Sequence, residues 1–221
     1  QLTVSSVAHI ISWNPHLLGL RHRMIDPIGA LRAALAHDSG ASTDFDLNPD
    51  VVLPAGRVLR PAVVLVPLIE TDHGLELILT KRSSALQHHP GQIAFPGGKQ
   101  DAADANLTAT ALREAQEEIG LSPDRVTPLG TLANHETVTG FQVTPVVAQV
   151  HGQAPLRPEP GEVAEIFCVP VSHVTDPGRF CVQGRRWRGQ RRYYYTVPFG
   201  PYYIWGATAR MLRQFADRMQ S

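Results

Sequence analysis

The sequence predicts an α+β or α/β sandwich, a fold in which helices cover the faces of a β-sheet. Three segments of the 221-residue chain carry this prediction. The apolar run from Ala62 to Ile69 contains three valines, which favours a buried strand. The segment from Asp104 to Ile119 has apolar residues at helical spacing, and Ile204 to Met219 closes the chain as a second helix.

The N-terminal part, residues 1–59, is predicted to be a helical extension followed by a connector. Ile28, Leu31 and Leu35 recur at helical spacing between Pro27 and His37, and Asp26 can act as the N-cap of this helix. The next twenty residues are rich in Ser, Asp, Asn, Pro and Gly, a composition typical of connectors. Residues 60–221 are predicted to form the main domain, which includes the C-terminal helix.

Within the main domain, Leu75 to Lys81 alternates after the turn at Thr71–Gly74 and is predicted to form a hairpin with the valine-rich strand. A loop from Ser83 to Gln92 follows. Tyr203 and Trp205 are expected to pack the final helix against the core. Further strands are predicted at Val126 to Leu132, Phe141 to Val150, Val163 to Val169, Phe180 to Val182 and Tyr193 to Val197.

The segment from Arg113 to Leu121 reads REAQEEIGL and contains a cluster of acidic residues. On a helix, Glu114 lies three residues before Glu117 and four before Glu118, so their carboxylates share one face and repel each other. Hard oxygen ligands without Cys or His favour magnesium or manganese, and magnesium often binds together with substrate phosphates. The pattern indicates metal-assisted cleavage of a phosphate anhydride. A solvated helix face, the commoner fate of acidic clusters, is the competing interpretation.

The glycine-containing loop FPGGKQD precedes this helix, and Gly120 can end it as a left-handed C-cap. The stretch from Gly98 to Leu121 resembles the Nudix box, with Asp104 as the first acid, one residue farther from Arg113 than is usual. The resemblance implies a Nudix α/β/α sandwich with a mixed β-sheet. It also implies a catalytic set of four residues, in which Arg113 orients the acids and the three glutamates are the metal ligands: Arg113, Glu114, Glu117 and Glu118.

A second pattern, ILTKRSSALQHHPGQIAFPGG, runs from Ile78 to Gly98 and resembles the extra motif of the coenzyme A pyrophosphatase branch of that family. Gln87 stands where the motif has Arg. The resemblance implies hydrolysis of coenzyme A to 4'-phosphopantetheine and adenosine 3',5'-bisphosphate. The residues then expected to bind substrate are Arg82, as first choice for the 3'-phosphate, with Lys81 and Arg60 as weaker choices, and Gly97 and Gly98, whose turn brings backbone near the metal.

Other assignments stay open at this point. A different diphosphate such as ADP-ribose, a dinucleotide or a nucleoside triphosphate is the alternative substrate, and a non-catalytic Nudix-fold regulatory module is the alternative class. A carboxylate from a late loop serves as the base in parts of the family, and Glu162 and Glu165 are the two candidates here.

The charge balance argues against nucleic acid as a partner. Basic and acidic residues number 20 each, so the formal net charge is zero. The run RRWRGQRRYYY, from Arg185 to Tyr195, fits a polar hairpin as well as a surface that binds single-stranded nucleic acid.

Cys168 and Cys181 lack CxxC spacing, which favours a reducing, cytoplasmic setting. No apolar run approaches the ~20 residues that span a bilayer. We expect a small-molecule substrate and no membrane partner; a homodimer is compatible with the sequence.

Overall fold

The computed structural model of the protein describes residues 26–37, 40–152, 155–187 and 189–220. The helices are α1 (Pro27–Leu35), α2 (Leu107–Ile119), α3 (Val171–Val174) and α4 (Gly206–Met219). The strands are β1 (Ser42–Thr43), β2 (Arg60–Thr71), β3 (Gly74–Arg82), β4 (Ile93–Ala94), β5 (Gly97–Lys99), β6 (Val126–Thr131), β7 (His135–Glu136), β8 (Phe141–Val150), β9 (Val163–Pro170), β10 (Cys181–Trp187) and β11 (Gln190–Thr196). Within these ranges, no helix is long and apolar enough to cross a membrane.

A mixed sheet forms the centre of the molecule, with strands in the order β1, β7, β8, β2, β3. Strands β2 and β8 run parallel along ten paired residues, from Arg60 opposite Phe141 to Ile69 opposite Val150. The hairpin of β2 and β3 pairs antiparallel at its turn, and β9 pairs antiparallel with β3. Strand β5 pairs with the first half of β2, while β4 pairs with the last residues of β3. The predicted α+β sandwich with a mixed sheet is confirmed.

A helix covers each face of the sheet. Side chains alternate along the strands, so each face presents apolar residues that a helix can bury. On β3, Leu77 and Leu79 point into the same cluster as Leu212 and Phe215 of α4. The intervening Ile78 belongs to the other cluster, which contains Ala111, Ala115 and Ile119 of α2. The small alanines of α2 let its backbone lie close to the sheet, and Glu118 of the same helix accepts a hydrogen bond from Gly97, the first residue of β5.

The described part of the N-terminal segment packs on the same core. Asp26 caps the start of helix α1, because its Oδ1 accepts a hydrogen bond from the Ile28 N–H at 3.1 Å, and the helix buries Leu31. The connector contributes strand β1, which pairs in parallel with β7 and was not predicted. In addition, the Gln214 side chain of α4 donates to the Gly40 carbonyl at 2.9 Å. The division into residues 1–59 and 60–221 stays a prediction, and residues 1–25 of the first part lie outside the described ranges.

Several predicted boundaries shift for local reasons. Helix α2 begins after Asn106, whose Oδ1 accepts from the Ala109 N–H at 2.9 Å, so the predicted start at Asp104 was three residues early. Strands β10 and β11 form a separate two-stranded sheet that turns at Gly189, which confirms the polar-hairpin interpretation of Arg185 to Tyr195. Both strands extend farther toward this turn than the strands predicted at Phe180 to Val182 and Tyr193 to Val197. The expectation that Tyr203 packs into the core was wrong, since 47% of that residue is exposed.

Candidate active site

The acidic helix α2 is fixed at both ends. Asn106 caps its start, and Gly120 ends it in the left-handed conformation (φ 67°), with its N–H bonded to the Gln116 carbonyl at 3.0 Å. Ala111, Ala115 and Ile119 are fully buried against the sheet. The three glutamates on the other side of the helix differ in exposure: the side chain of Glu117 is 59% exposed and that of Glu114 is 16% exposed, whereas Glu118 is 5% exposed.

Two glycines let the preceding loop lie against this helix. A Cβ at Gly97 would stand 2.3 Å from the Val63 carbonyl oxygen of β2, closer than any real contact. A Cβ at Gly98 would stand 2.4 Å from Oε1 of Glu114. Any side chain at Gly98 would therefore displace the Glu114 carboxylate, so the glycine pair sets the distance between strand β5 and the glutamates.

Glu118 is a buried carboxylate with a single weak hydrogen bond among the described residues, accepted from the Gly97 N–H at 3.3 Å. Burial raises the pKa of Glu118 to about 7, and the negative charge of Glu162 adds to the shift. The nearby positive charge of Arg82 acts in the opposite direction. Burial also raises the pKa of Glu114. Both ionised carboxylates would be stabilised by additional positive charge at this place.

Arg113 connects the helix to the loop before it. Its Nε and Nη2 donate to the two oxygens of Asp104, both at 3.0 Å, and Nη2 also reaches the Lys99 carbonyl at 3.1 Å. On the helix it contacts Glu117 at 2.9 Å and Glu114 at 3.1 Å. The guanidinium holds the pKa of Asp104 well below its usual range, and the pKa of Arg113 is raised in turn. Asp104 thus reaches Arg113 despite the longer sequence gap.

The three glutamates do not converge into a preformed metal cage. In the ranges that the structure describes, no group of three or more His, Cys, Asp or Glu side chains lies close enough together to hold an ion. The reason is electrostatic: like charges separate, and Glu114 and Glu117 turn toward Arg113 while Glu118 turns toward the Gly97 N–H. The donor chemistry nevertheless fits a hard divalent cation, because every donor is a carboxylate oxygen and the raised pKa of Glu118 marks a missing positive charge. The metal role of these residues stays a prediction.

Arg82 and Glu162 lie beside the same carboxylates. Arg82 ends strand β3, and its Nε is buried without a hydrogen-bond partner among the described residues. Its charge acts on Glu118, and that of Glu162 acts on both Glu114 and Glu118. The Ser83 N–H donates to the Glu162 carbonyl at 2.8 Å, which joins the two segments. The sequence pattern did not predict that Arg82 would lie next to the glutamates.

The other sequence-predicted residues lie apart from this group. Glu165 accepts a hydrogen bond from the Tyr202 hydroxyl and stands opposite Lys81 in the β3–β9 ladder, so it faces the α4 side of the sheet. Of the two candidate bases, Glu162 is the one whose negative charge contributes to the raised pKa values of Glu114 and Glu118. Arg60 stacks over the Phe141 ring at 4.1 Å and donates to the Thr139 carbonyl at 3.2 Å.

Lys81 lines a cleft of about 290 Å³ that the sequence did not locate. Its walls come from the end of the Ser83–Gln92 loop, from β4 and from the segment before α4. Tyr202, Tyr203 and Trp205 give it an aromatic surface. The only sequence signal was the family-like stretch YIWGATARML, which contains Tyr203 and Trp205 but gives no indication of which side they face.

A domain model and two relatives similar in sequence agree on the family. A model of the NUDIX domain matches residues 58–188. An uncharacterized Nudix hydrolase, NudL, of Cronobacter sakazakii is 41% identical over 157 residues, which are 71% of this chain and 81% of that protein. NudL of Enterobacter sp. is 38% identical over 182 residues, covering 77% of this chain and 94% of the relative. Among solved structures, the NUDIX domain of Shewanella oneidensis NrtR, complexed with ADP ribose, is 16% identical with a TM-score of 0.48, covering 77% of this chain and 95% of that one.

The buried Glu118 carboxylate generates a prediction about stability. We expect Glu118→Gln to stabilise the metal-free protein by roughly 3 kcal/mol at pH 8 and to have little effect at pH 4. The folded pKa of about 7 exceeds the ordinary 4.5, so stability from protonated Glu118 is fully present below pH 4.5 and is lost as the pH rises through 7. Urea unfolding in the presence of a chelator measures the difference.

The matched control is Glu117→Gln, since that side chain is 59% exposed and pairs with Arg113 at the surface. Its effect on unfolding should stay below about 1 kcal/mol at either pH. Equal stability of the Glu118→Gln variant and the parent at pH 8 would show that the buried charge carries no cost.

Proposed function

The chain belongs to the Nudix hydrolase family, and on that premise we propose that it hydrolyses the diphosphate bond of coenzyme A or its derivatives. The products would be 4'-phosphopantetheine and adenosine 3',5'-bisphosphate. One observation supports the choice: Arg82, which belongs to the coenzyme A pattern, lies near enough for its positive charge to lower the pKa of Glu118, which belongs to the Nudix pattern. The two patterns therefore meet at one site, where a guanidinium can bind phosphate oxygens bidentately.

Nudix hydrolases generally use divalent metal ions. In the proposed reaction Glu114, Glu117 and Glu118 would hold magnesium or manganese, which when bound would neutralise phosphate charge and make water a better nucleophile. Arg113 holds Glu114 and Glu117 in position through its ion pairs. Arg113 itself is a positioning residue in this scheme.

The remaining roles follow from position and charge. Glu162, an exposed carboxylate beside Glu114 and Glu118, is our choice for the group that accepts the proton of the attacking water. Water adds its oxygen to one phosphorus, and the bridging oxygen leaves with the other phosphoryl group, so that two monophosphates result. Arg82 binds the diphosphate oxygens as negative charge shifts to the leaving group. This position supports assigning Arg82 to the diphosphate rather than to the 3'-phosphate.

A different diphosphate is the second candidate, and Gln87 is the observation that favours it. Gln87 stands where the coenzyme A pattern has Arg, and it is exposed on the Ser83–Gln92 loop. Its uncharged side chain removes one cation from that loop. A non-catalytic regulatory module is disfavoured, because all three glutamates of the Nudix pattern are present.

The cysteines bear on the setting in which the protein works. Cys168 and Cys181 are both free, which supports a reducing, cytoplasmic setting. The proposed partner is a small-molecule diphosphate, and a homodimer remains compatible with the chain.

A substrate panel tests the proposed function. The purified protein is incubated with magnesium or manganese and with coenzyme A, dephospho-coenzyme A, ADP-ribose, NADH or a nucleoside triphosphate, and the products are identified by mass. We expect preferential release of 4'-phosphopantetheine from coenzyme A. Preference for ADP-ribose, NADH or the triphosphate would overturn the substrate assignment, and no cleavage of any compound would overturn the enzymatic one.

Glu117→Gln should remove most turnover while the fold remains intact. The substitution withdraws one predicted metal charge from a side chain that is 59% exposed, so the core is not disturbed. Glu70→Gln, at an exposed position near the β2–β3 turn, is the matched control and should keep parental turnover. Turnover is measured at saturating metal, and thermal unfolding checks the fold. Near-normal turnover in the Glu117→Gln variant would refute the metal role.

Arg82→Ala should reduce kcat/KM by the same factor, on the order of 10- to 100-fold, for coenzyme A and for dephospho-coenzyme A. The equal loss follows because both substrates contain the diphosphate, whereas only coenzyme A has the 3'-phosphate. Arg82→Lys keeps the charge without the bidentate fork and should recover part of the activity. A loss of kcat/KM for coenzyme A alone would show that Arg82 binds the 3'-phosphate instead of the diphosphate.

A further inference from the structure

We propose that the aromatic cleft beside Lys81 binds the nucleobase of the substrate together with its phosphorylated ribose. The cleft is lined by Lys81, Gln92, Ile93, Tyr202, Tyr203 and Trp205, among others. This inference rests on the proposed hydrolysis of a nucleoside-linked diphosphate, and it adds the place and the residues that recognise the nucleoside end. It also gives the segment that precedes α4 a role in substrate recognition.

The aromatic residues of the cleft are held in fixed orientations. The Tyr202 ring stacks on Phe167, with centroids 3.6 Å apart and planes 8° from parallel, and its hydroxyl donates to Glu165. Trp205 packs edge-to-face with Tyr194 at 5.2 Å, and the Tyr194 and Tyr203 hydroxyls lie 3.4 Å apart. A rigid aromatic surface binds a flat ring at low entropic cost, since few rotamers are lost on binding.

The charges around the cleft fit a ring that carries phosphate. Lys81 lines the cleft with an exposed side chain, and the Arg185 guanidinium of β10 lies 5.5 Å from the centre of the Trp205 ring. One acidic neighbour, Glu165, accepts a hydrogen bond from the Tyr202 hydroxyl and offsets part of this positive charge. The two cations outnumber the one carboxylate, and this excess of positive charge beside an aromatic wall favours an anionic nucleotide over the uncharged pantetheine arm.

The cleft and the proposed site of hydrolysis lie on opposite faces of the sheet and are adjacent at the end of β3. Lys81 and Arg82 are consecutive in β3, so their Cα atoms are about 3.8 Å apart and their side chains point to opposite faces of the sheet. The loop that follows joins both places, because the Arg82 N–H donates to the Gln92 carbonyl at 2.9 Å and the Gly91 N–H donates to the Arg82 carbonyl at 3.2 Å. A substrate with its diphosphate at Arg82 therefore passes around the end of β3 and reaches the cleft with its nucleoside.

Binding of the two products, measured without metal, tests the cleft separately from catalysis. Adenosine 3',5'-bisphosphate and 4'-phosphopantetheine are titrated calorimetrically into the full chain in the presence of a chelator. We expect Trp205→Leu to weaken adenosine 3',5'-bisphosphate on the order of tenfold, because one stacked base contact is lost, and to leave 4'-phosphopantetheine unchanged. Tyr193→Leu removes an aromatic side chain that is 42% exposed and lies outside the cleft, so it should change neither affinity.

A second variant keeps the test decisive if Trp205→Leu fails to fold. Lys81→Met changes an exposed side chain and should weaken adenosine 3',5'-bisphosphate more than adenosine 5'-monophosphate, which lacks the ring phosphate. Parental affinity for the bisphosphate in either folded variant would overturn the proposal. Weakened binding of 4'-phosphopantetheine alone would also overturn it, by placing the other end of the substrate in the cleft.

The experiments distinguish a wrong assignment of the cleft from a wrong substrate. If coenzyme A is cleaved but the variants bind adenosine 3',5'-bisphosphate as the parent does, the cleft assignment is wrong and the activity stands. If coenzyme A is not cleaved but the variants weaken the bisphosphate, the cleft assignment stands and the proposed substrate is wrong.

Discussion

The ion pair between Arg113 and Asp104 is the contact on which the candidate site depends. It fixes helix α2 to the loop before it, and the same guanidinium holds Glu114 and Glu117. Both hydrogen bonds to Asp104 are 3.0 Å long and parallel, a geometry that only arginine provides. Because the pair lies at the start of the acidic face, a small rotation of the helix would move every carboxylate together. The spacing of the site is therefore set by one residue that need not touch the substrate.

The glycine pair Gly97–Gly98 is the second requirement of the site, because it allows strand β5 to lie close to helix α2, the arrangement that Arg113 maintains. Gly97 lies against the Val63 carbonyl, and Gly98 lies against the Glu114 carboxylate, where no Cβ fits. This approach buries Glu118, whose ionisation then costs free energy in the absence of a cation. The fold accepts an unfavourable buried charge at the position where an added cation would stabilise it, a conflict typical of functional sites.

The sequence predicted the long, regular elements well and failed where tertiary contacts decide. Strand β8 was predicted with both ends correct, because its apolar run is bounded by a turn at Gly140 and pairs along its whole length with β2. Strand β1 has two residues and exists only through pairing with β7, so no local pattern could reveal it. The cleft was missed for the same reason, because its walls come from segments more than a hundred residues apart. The acidic helix face was visible from spacing alone, but the separation of its carboxylates depends on Arg113 and Gly97.

An irregularity in β9 explains why the direction of Glu165 could not be predicted from the sequence. Lys81 pairs with Glu165 and Arg82 pairs with Val163, so Ala164 is an extra residue that forms a bulge. Val163 consequently packs in the cluster under α2, while Glu165 reaches Tyr202 on the other face. Without the bulge, residues 163 and 165 would share a face, as a period of two requires. The bulge therefore leaves Glu165 facing the aromatic residues on the α4 side, whereas Glu162 precedes the first residue of β9 and its charge acts on the carboxylates of α2.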